Sequence, residues 1–295
     1  MRTAQRRRLF PLTAVVLIAA ALLIFLISKK KPAEEVDPHA GQVLINDGFA
    51  DVWITPLEGV DVNTLSEEEF RTEDGELQYT GAAFDTIRGV DVSEHQHEID
   101  WQQVADSGVE FAFIRTGYRG YTAGGLNDDA YYEQNLHGAL SAGLQVGVYF
   151  FSQATNVAEA IEEANYILDQ IEDYDITLPV MYDWEKIEGV DYARTDNISS
   201  DVVSDCGVAF CETVKAAGYD AGIYFNRQLG YYYYDLSRLT DFKFWVTVPG
   251  DFPDFYYAGN VWQYSFTETV PGIEGETDMN LLFVPRPEPE PEPGA

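Results

Sequence analysis

Two acidic residues separated by one position close an apolar segment of this chain. Residues 178–182 read LPVMY, and Asp183, Trp184 and Glu185 follow directly. Side chains alternate across a β-strand, so a strand here places Asp183 and Glu185 on one face and Trp184 on the other. Like-charge repulsion and enclosure by aromatic groups should keep one carboxyl protonated, and we expect Asp183 to raise the pKa of Glu185 in this way. A protonated acid beside an ionised one is the pair that hydrolysis of a glycosidic bond requires.

Acids also stand at the ends of two other apolar segments. Asp91 lies within residues 89–93, and Asp278 and Asn280 flank Met279 at the start of the last apolar run. Each acid has an alternative interpretation as a solvated strand end, because the chain has 50 acidic residues. If the strands belong to one barrel, their carboxylates meet at its C-terminal mouth, where barrel enzymes place catalytic groups. We therefore expect these acids to share one catalytic site.

Aromatic residues occupy other predicted strand ends. Sugar rings present apolar C–H faces that aromatic side chains can cover, although core packing is the alternative for each residue. We expect about half of the following set to line a substrate groove: Tyr118, Tyr149, Phe151, Tyr224, Trp245, Trp262 and Tyr264.

The elements that must position these residues alternate along residues 86–284. Apolar runs predict strands at 89–92, 111–116, 145–151, 179–184, 221–225, 244–248, 261–264 and 279–283, and helical patterns fall at 101–107, 128–142, 157–173 and 200–217. Strands separated by helices imply a mostly parallel sheet. The last three strands leave little room for helices, so we predict an α/β fold built on a small barrel without its late helices. An open doubly wound sheet is the alternative, but no glycine-rich phosphate loop opens a first helix.

Charge and composition exclude several classes of function. The chain of 295 residues carries 50 acids and 18 bases, a net charge of −32. Such a polyanion repels phosphate backbones, so nucleic-acid binding is not expected. Two cysteines are too few for a disulfide scaffold or a cysteine-based zinc site, and the four histidines are mostly scattered. We therefore expect that the chain needs no metal. We also expect a monomer without a cofactor.

The N-terminus carries a candidate membrane anchor. Residues 9–27 form a 19-residue run without charge, flanked by basic residues at 2–8 and 29–31. This length matches the roughly 20 residues that cross a bilayer. A secretory signal peptide is the alternative, but the run is followed by three lysines rather than by a small-residue cleavage site. We predict a basic tail at 1–8, an uncleaved anchor at 9–28, an acidic spacer at 29–85, the barrel at 86–284 and an extended Pro/Glu tail at 285–295.

Short segments of the predicted barrel resemble glycoside hydrolase family 25, the Chalaropsis-type lysozymes. They fall on the predicted strands or directly beside them, in the family's order: GVDVSEHQ at 89–96, IDW at 99–101, FIRTGY at 113–118, GVYFF at 147–151, DWE at 183–185, GIY at 222–224, FWV at 244–246, VWQY at 261–264 and DMN at 278–280. Together they cover the whole predicted barrel. One departure is Phe150, where many members have histidine.

The resemblance implies an irregular (β/α)5β3 barrel that hydrolyses the β-1,4 bond between N-acetylmuramic acid and N-acetylglucosamine in peptidoglycan. By position, Glu185 resembles the general acid, Asp183 the second carboxylate, and Asp91 and Asp278 the supporting acids. Resemblance also places Tyr118, Tyr149, Tyr224 and Trp245 in the substrate groove, and we add Trp262, Tyr264 and Asn280 as candidates.

The resemblance leaves the attack on the anomeric carbon open. The substrate's N-acetyl oxygen attacks while Asp183 steadies the charge on nitrogen, or a carboxylate activates water directly; we favour the first route. Because peptidoglycan lies outside the cytoplasmic membrane, we expect a cytoplasmic N-terminus and an extracellular barrel. A catalytically weak glycan-binding module and a hydrolase of chitin-like polymers are the competing functions.

Overall fold

The computed structural model describes residues 37–73, 75–187 and 189–287. The chain divides into two units, residues 1–43 and residues 44–295. The second unit contains the barrel and the acids singled out above.

Thirteen strands and five α-helices are present among the described residues. The strands are β1 (Val43–Asn46), β2 (Asp51–Ile54), β3 (Phe70–Glu73), β4 (Glu76–Tyr79), β5 (Phe84–Val92), β6 (Phe111–Arg119), β7 (Leu126–Asp128), β8 (Gln145–Ser152), β9 (Val180–Trp184), β10 (Ala221–Asn226), β11 (Lys243–Thr247), β12 (Val261–Glu268) and β13 (Thr277–Pro285). The helices are α1 (Trp101–Asp106), α2 (Tyr132–Ser141), α3 (Val157–Ile171), α4 (Ser200–Ala216) and α5 (Arg227–Tyr232).

Eight of these strands close a barrel in the order β5, β6, β8, β9, β10, β11, β12, β13, and β13 pairs back onto β5. Neighbouring strands from β5 to β12 are parallel, whereas β13 is antiparallel to both of its neighbours. A helix follows each of the first five barrel strands, and none lies between β11 and β13 in this described part of the chain. The predicted α/β barrel is confirmed, and the eight predicted strands match its eight strands.

The helices form where an apolar stripe and a capping residue coincide. The N-cap Asn156 of α3 accepts a hydrogen bond from the backbone N–H of Glu159. The buried positions Ala160, Ala164, Ile167 and Ile171 then recur every three or four residues, which aligns them on one face of the helix. This face packs against the outer surface of the barrel.

The barrel has a filled lumen with an apolar floor. Phe111, Phe113 and Met181 belong to a buried cluster inside it, separate from the larger core between sheet and helices. Gly89 and Gly147 face the first two rings, and a Cβ at either glycine would overlap the ring opposite. Glycine at these two positions therefore makes room for the aromatic floor.

Residues before the barrel pack against its outer surface. The Phe70 ring meets the Trp262 ring edge-on at 5.4 Å, and the Leu57 backbone N–H donates to the Tyr257 hydroxyl at 2.9 Å. The Asn63 side chain donates to two backbone carbonyls of residues 253–255. The boundary at residue 86 stays a prediction, and this packing favours a folding unit that begins near residue 44.

A fragment of residues 86–287 should therefore be less stable than a fragment of residues 44–287. Removing residues 44–85 takes the buried side chains Val60, Phe70 and Leu77 from the core, each worth about 1.5–3 kcal/mol of burial. For a domain of this size, we expect Tm to fall by about 10 °C or more. Thermal melts of the two fragments measure this, and equal Tm values would restore the boundary at residue 86.

No helix in the described part of the chain is long and apolar enough to span a membrane. The predicted anchor at residues 9–28 lies outside the described residues, as does most of the predicted tail at 285–295.

Candidate active site

The predicted acids converge inside the barrel, at the C-terminal ends of the parallel strands. On β9, Met181 belongs to the floor, so Asp183 shares its inward face, and Glu185 lies one step beyond it. Asp91 on β5 lies directly opposite Asp278 on β13 in the antiparallel register. The structure thus brings the acids of three strands to one site, as the alternation of the sequence predicts.

Two chains of hydrogen bonds end on one oxygen of Asp91. Its Oδ2 accepts from Nε2 of Gln263 and from Nδ2 of Asn280, both at 2.8 Å. The Tyr224 hydroxyl donates to Oε1 of Gln263 at 2.9 Å, and the Trp245 indole N–H donates to Oδ1 of Asn280 at 2.8 Å. An indole N–H can only donate, so it fixes the Asn280 amide with its NH₂ toward Asp91. Donors aimed at a carboxylate stabilise its ionised form.

Burial raises the pKa of every acid in this cluster, but to different extents. The pKa of Asp91 rises only to about 6, because hydrogen bonds from Asn280 and Gln263 offset burial. Burial and the charge of Asp91 raise the pKa of Glu185 to about 7 and that of Asp278 to about 8. Burial, then Glu185 and Asp91, hold the pKa of Asp183 well above its ordinary value. The hydrogen bonds that Asp91 accepts therefore favour its ionised form within this cluster.

The predicted like-charge repulsion between Asp183 and Glu185 is present, and it raises the pKa of Asp183. The pKa of Glu185 is raised by burial and by the charge of Asp91. Asp183 is itself buried on the lumen face, and its burial is the largest cause of its raised pKa.

Three of the predicted aromatic residues line the lumen above its floor. The Trp245 ring stacks on Phe113 at 4.6 Å, and the rings of Tyr224 and Tyr149 meet it at 4.7 and 5.8 Å. Tyr118 is half-buried on β6, and its ring centre lies 5.4 Å from the Arg115 guanidinium carbon.

Trp262 and Tyr264 do not reach the lumen. Both belong to the outer core, where the Trp262 indole N–H donates to the Val248 carbonyl and the two rings lie 5.6 Å apart. Val261 and Gln263 take the inward positions of β12 instead. Phe150, the departure from the family pattern, also faces outward, 6.0 Å from the Tyr166 ring, so it leaves the acid cluster untouched.

Sequence reasoning missed Gln263 and Arg115. Gln263 and Trp262 lie on opposite faces of β12. The prediction assigned the inward face to the aromatic residues Trp262 and Tyr264, and it therefore overlooked Gln263. Arg115 donates to Oδ2 of Asp129 at 2.8 Å and to Oε1 of Glu94 at 3.2 Å. Its charge opposes the rise in the pKa of Asp183. Alternation along β6 puts Arg115 on the same inward face as Phe113, so the sequence contained the signal for a cation in the lumen.

Gln153 was also missed, and it holds the backbone of the predicted acid. The side chain is fully buried just past the end of β8. Its Nε2 donates to the Glu185 carbonyl at 2.7 Å and to the Ser152 carbonyl at 2.8 Å, and its Oε1 accepts from Thr195 at 3.3 Å. Gln153 therefore ties β8, Glu185 and the loop after Glu185 together, which makes it a positioning residue.

Replacing Gln153 by leucine should lower kcat by roughly tenfold, since small misplacements of a catalytic group are costly, while KM changes little. Asn135→Leu is the matched control, because Asn135 is a fully buried amide on α2 whose Oδ1 accepts from the Trp101 indole N–H at 3.4 Å. Steady-state kinetics and thermal melts of both variants test this. An equal loss of kcat in the two variants would reduce Gln153 to a structural role.

Comparison with known proteins agrees with this geometry. The model of the glycosyl hydrolases family 25 matches residues 90–273. The chain is 27% identical over 198 residues to an autolytic lysozyme of Clostridium acetobutylicum, which covers 66% of this chain and 55% of that protein. It is 26% identical over 209 residues to lysozyme M1 of Streptomyces globisporus, covering 66% of this chain and 67% of that protein.

Solved structures share the fold. The modular autolysin LytC of Streptococcus pneumoniae superposes with a TM-score of 0.57 at 24% identity, over 72% of this chain and 51% of LytC. A family 25 glycosyl hydrolase of Bacillus anthracis gives a TM-score of 0.55 at 21% identity, over 68% of this chain and 89% of that one. The chain thus spans little more than half the length of the autolytic lysozyme and of LytC.

The family match covers most of the barrel and includes Asp91, Asp183 and Glu185. The resemblance seen in the sequence is confirmed, and the chain belongs to glycosyl hydrolase family 25.

Proposed function

We propose that this chain is an N-acetylmuramidase, which hydrolyses the β-1,4 bond between N-acetylmuramic acid and N-acetylglucosamine in peptidoglycan. The observation that carries the proposal is the pairing of Glu185, whose pKa is raised to about 7, with the hydrogen-bonded carboxylate of Asp91 in one barrel mouth. Two relatives are lysozymes by name, and LytC has been solved with a synthetic peptidoglycan ligand.

In this proposal Glu185 is the general acid. A group with a pKa near 7 holds its proton close to neutral pH and releases it readily to a leaving oxygen. The charge of Asp91 keeps that proton on Glu185 and also favours the positive charge that develops on the sugar ring. Asp278, with a pKa of about 8, stays protonated and hydrogen-bonds to Asp91.

Asp183 would interact with the N-acetyl group of the substrate. It is buried on the lumen face, and its Oδ1 has no hydrogen-bond partner among the described residues. The acetamide N–H of an amino sugar is a donor that would satisfy this oxygen. A carboxylate there would also stabilise the positive charge on nitrogen when the acetamide oxygen attacks the anomeric carbon.

This route has two displacements at the anomeric carbon, first by the acetamide oxygen and then by water, so the product should keep the β configuration. ¹H NMR of fresh digests measures the configuration of the product. An α product would overturn substrate assistance.

Mass spectrometry of fragments released from purified peptidoglycan tests the activity itself. Muramic acid at the new reducing ends is the expected result. Release from chitin-like polymers with no release from peptidoglycan would favour the second hydrolase function. Binding to the wall without any release would favour a binding module.

Residues 9–28 are proposed to anchor the enzyme in the cell membrane, with the barrel outside. The uncharged run of residues 9–27 and the extracellular location of peptidoglycan support this topology. The acidic barrel gains no attraction from an anionic wall, so a tether would supply local concentration instead. Membrane fractionation and protease treatment of intact cells test it, and a mainly soluble form that begins after residue 31 would refute it.

A further inference from the structure

The turn between β1 and β2 presents an exposed aromatic side chain on a fixed backbone. Phe49 is 85% exposed. The neighbouring Asp47 carboxylate holds the turn, because its Oδ1 accepts from the backbone N–H groups of Phe49 and Ala50, each at 2.9 Å. These hydrogen bonds lower the pKa of Asp47 to about 2, so the carboxylate stays ionised. One exposed apolar ring needs no explanation by itself, but several exposed aromatic residues on one surface indicate a binding role.

The same carboxylate joins this turn to α5. Oδ2 of Asp47 accepts from the Tyr232 hydroxyl at 2.8 Å, and its backbone carbonyl accepts from Nε2 of Gln228 at 2.7 Å. Arg227 adds a bond to the Asn46 carbonyl at 2.8 Å. Tyr232 is itself 45% exposed, so Asp47 connects the backbone of one exposed aromatic residue to the side chain of another.

Helix α5 starts at the barrel mouth, next to the catalytic acid. Tyr224 pairs with Asp183 in the parallel register of β10 and β9, so Asn226, the N-cap of α5, lies level with Glu185. Tyr233, directly after α5, lies 6.3 Å from Trp184, and its hydroxyl lies 3.3 Å from Nζ of Lys186.

We name Phe49, Tyr232 and Tyr233 the aromatic ledge. Tyr232 and Tyr233 line a crevice of about 350 Å³. The apolar side chains of Ile54 and Leu57 and the acidic and hydroxyl side chains of Asp201, Asp235 and Ser200 also line it. Aromatic faces beside carboxylates and hydroxyls suit a sugar ring, which is apolar on its C–H faces and carries hydroxyls around its rim.

We propose that the aromatic ledge and its crevice bind sugar rings of the peptidoglycan strand outside the cleavage site. The proposal rests on the proposed function, because the ligand is the strand that Glu185 would cleave, and Tyr233 packs against Trp184, the residue before Glu185. A second copy of this chain is a poor occupant, since the 50 acids against 18 bases make two copies repel each other. Residues 46–57 lie before the family match at 90–273, so part of this surface lies outside the matched residues.

Cosedimentation with purified, insoluble peptidoglycan tests the ledge. All variants carry Glu185→Gln, so that the wall is not degraded during the measurement. Adding Phe49→Ala and Tyr232→Ala should weaken binding at least about fivefold, because stacked aromatic contacts are worth about 1 kcal/mol or more. Tyr219→Ala is the matched control: this half-buried tyrosine precedes β10, at the opposite end of the barrel, and its loss should leave binding unchanged.

The possible outcomes separate the ledge from the proposed function. If the unmodified enzyme releases muropeptides and the ledge variant binds the wall as well as its parent, the ledge proposal is wrong and the function stands. If the unmodified enzyme releases nothing, the function itself fails. Sedimentation of the unmodified chain as a dimer that the ledge substitutions dissociate would identify a self-association surface and overturn the proposal. Thermal melts confirm that each variant is folded.

Discussion

Replacing Glu185 by glutamine should lower turnover on peptidoglycan at least about 100-fold, the lower range for the loss of a general acid. The amide keeps the shape of the side chain but has no proton to give to the leaving oxygen. The Gln153 hydrogen bond to the backbone carbonyl of residue 185 does not depend on the side chain, so the main chain should stay in place. Initial rates of release of soluble fragments measure the effect, and binding to the wall should change little.

A thermal melt at pH 8 is the control for this variant. The folded-state pKa of Glu185 is raised to about 7, above its ordinary value of 4.5. The contribution of the neutral Glu185 carboxyl to the free energy of unfolding is fully present at low pH and is lost as pH rises through about 7. Glutamine has no proton to lose, so the variant should melt at least as high as the unmodified protein at pH 8. Near-normal turnover in a well-folded variant would move the acid role to Asp278 or Asp91.

The second large effect is expected from Asp91→Asn. Because Glu185 acts in its protonated form, activity should fall as pH rises through about 7. The charge of Asp91 is, after burial, the cause of the raised pKa of Glu185. Removing that charge should shift the alkaline limb of the pH–rate profile to lower pH and also lower the maximum rate roughly tenfold or more. The asparagine Oδ1 still accepts from Gln263 and Asn280, so the site should keep its geometry.

Asp183→Asn is the matched comparison for the position of the alkaline limb of the pH–rate profile. Asp183 shares the strand face of Glu185, but the causes that raise the pKa of Glu185 are burial and the charge of Asp91. Its replacement should lower the rate without moving the limb. If instead the limb moves in Asp183→Asn and stays in place in Asp91→Asn, the charge that acts on Glu185 is that of Asp183. Rates measured between pH 5 and pH 9 distinguish the two cases.

The site combines groups that are adjacent in space and distant along the chain. Gln263 and Asn280 bond to Asp91 across 172 and 189 positions of sequence. Local patterns cannot reveal such pairs, because they depend on how β12, β13 and β5 align when the barrel closes. Strand alternation and the resemblance to the family supplied the acids and Asn280, whereas Gln263 and the contacts of both amides with Asp91 became visible only in the closed barrel.

Patterns in the sequence predict the α/β class and the eight barrel strands. They also predict the common face of Asp183 and Glu185, since alternation along one strand is a local property. The sequence did not determine which face of β12 points inward, because Val261 and Trp262 are both apolar and either can be buried. Pairing with β13 decides this, as Gln263 lies opposite Asn280 in the register and turns Trp262 and Tyr264 outward. Tertiary structure also decided which carboxylate carries the charge, because burial and hydrogen-bond donors, and not residue type, set the order of their pKa values.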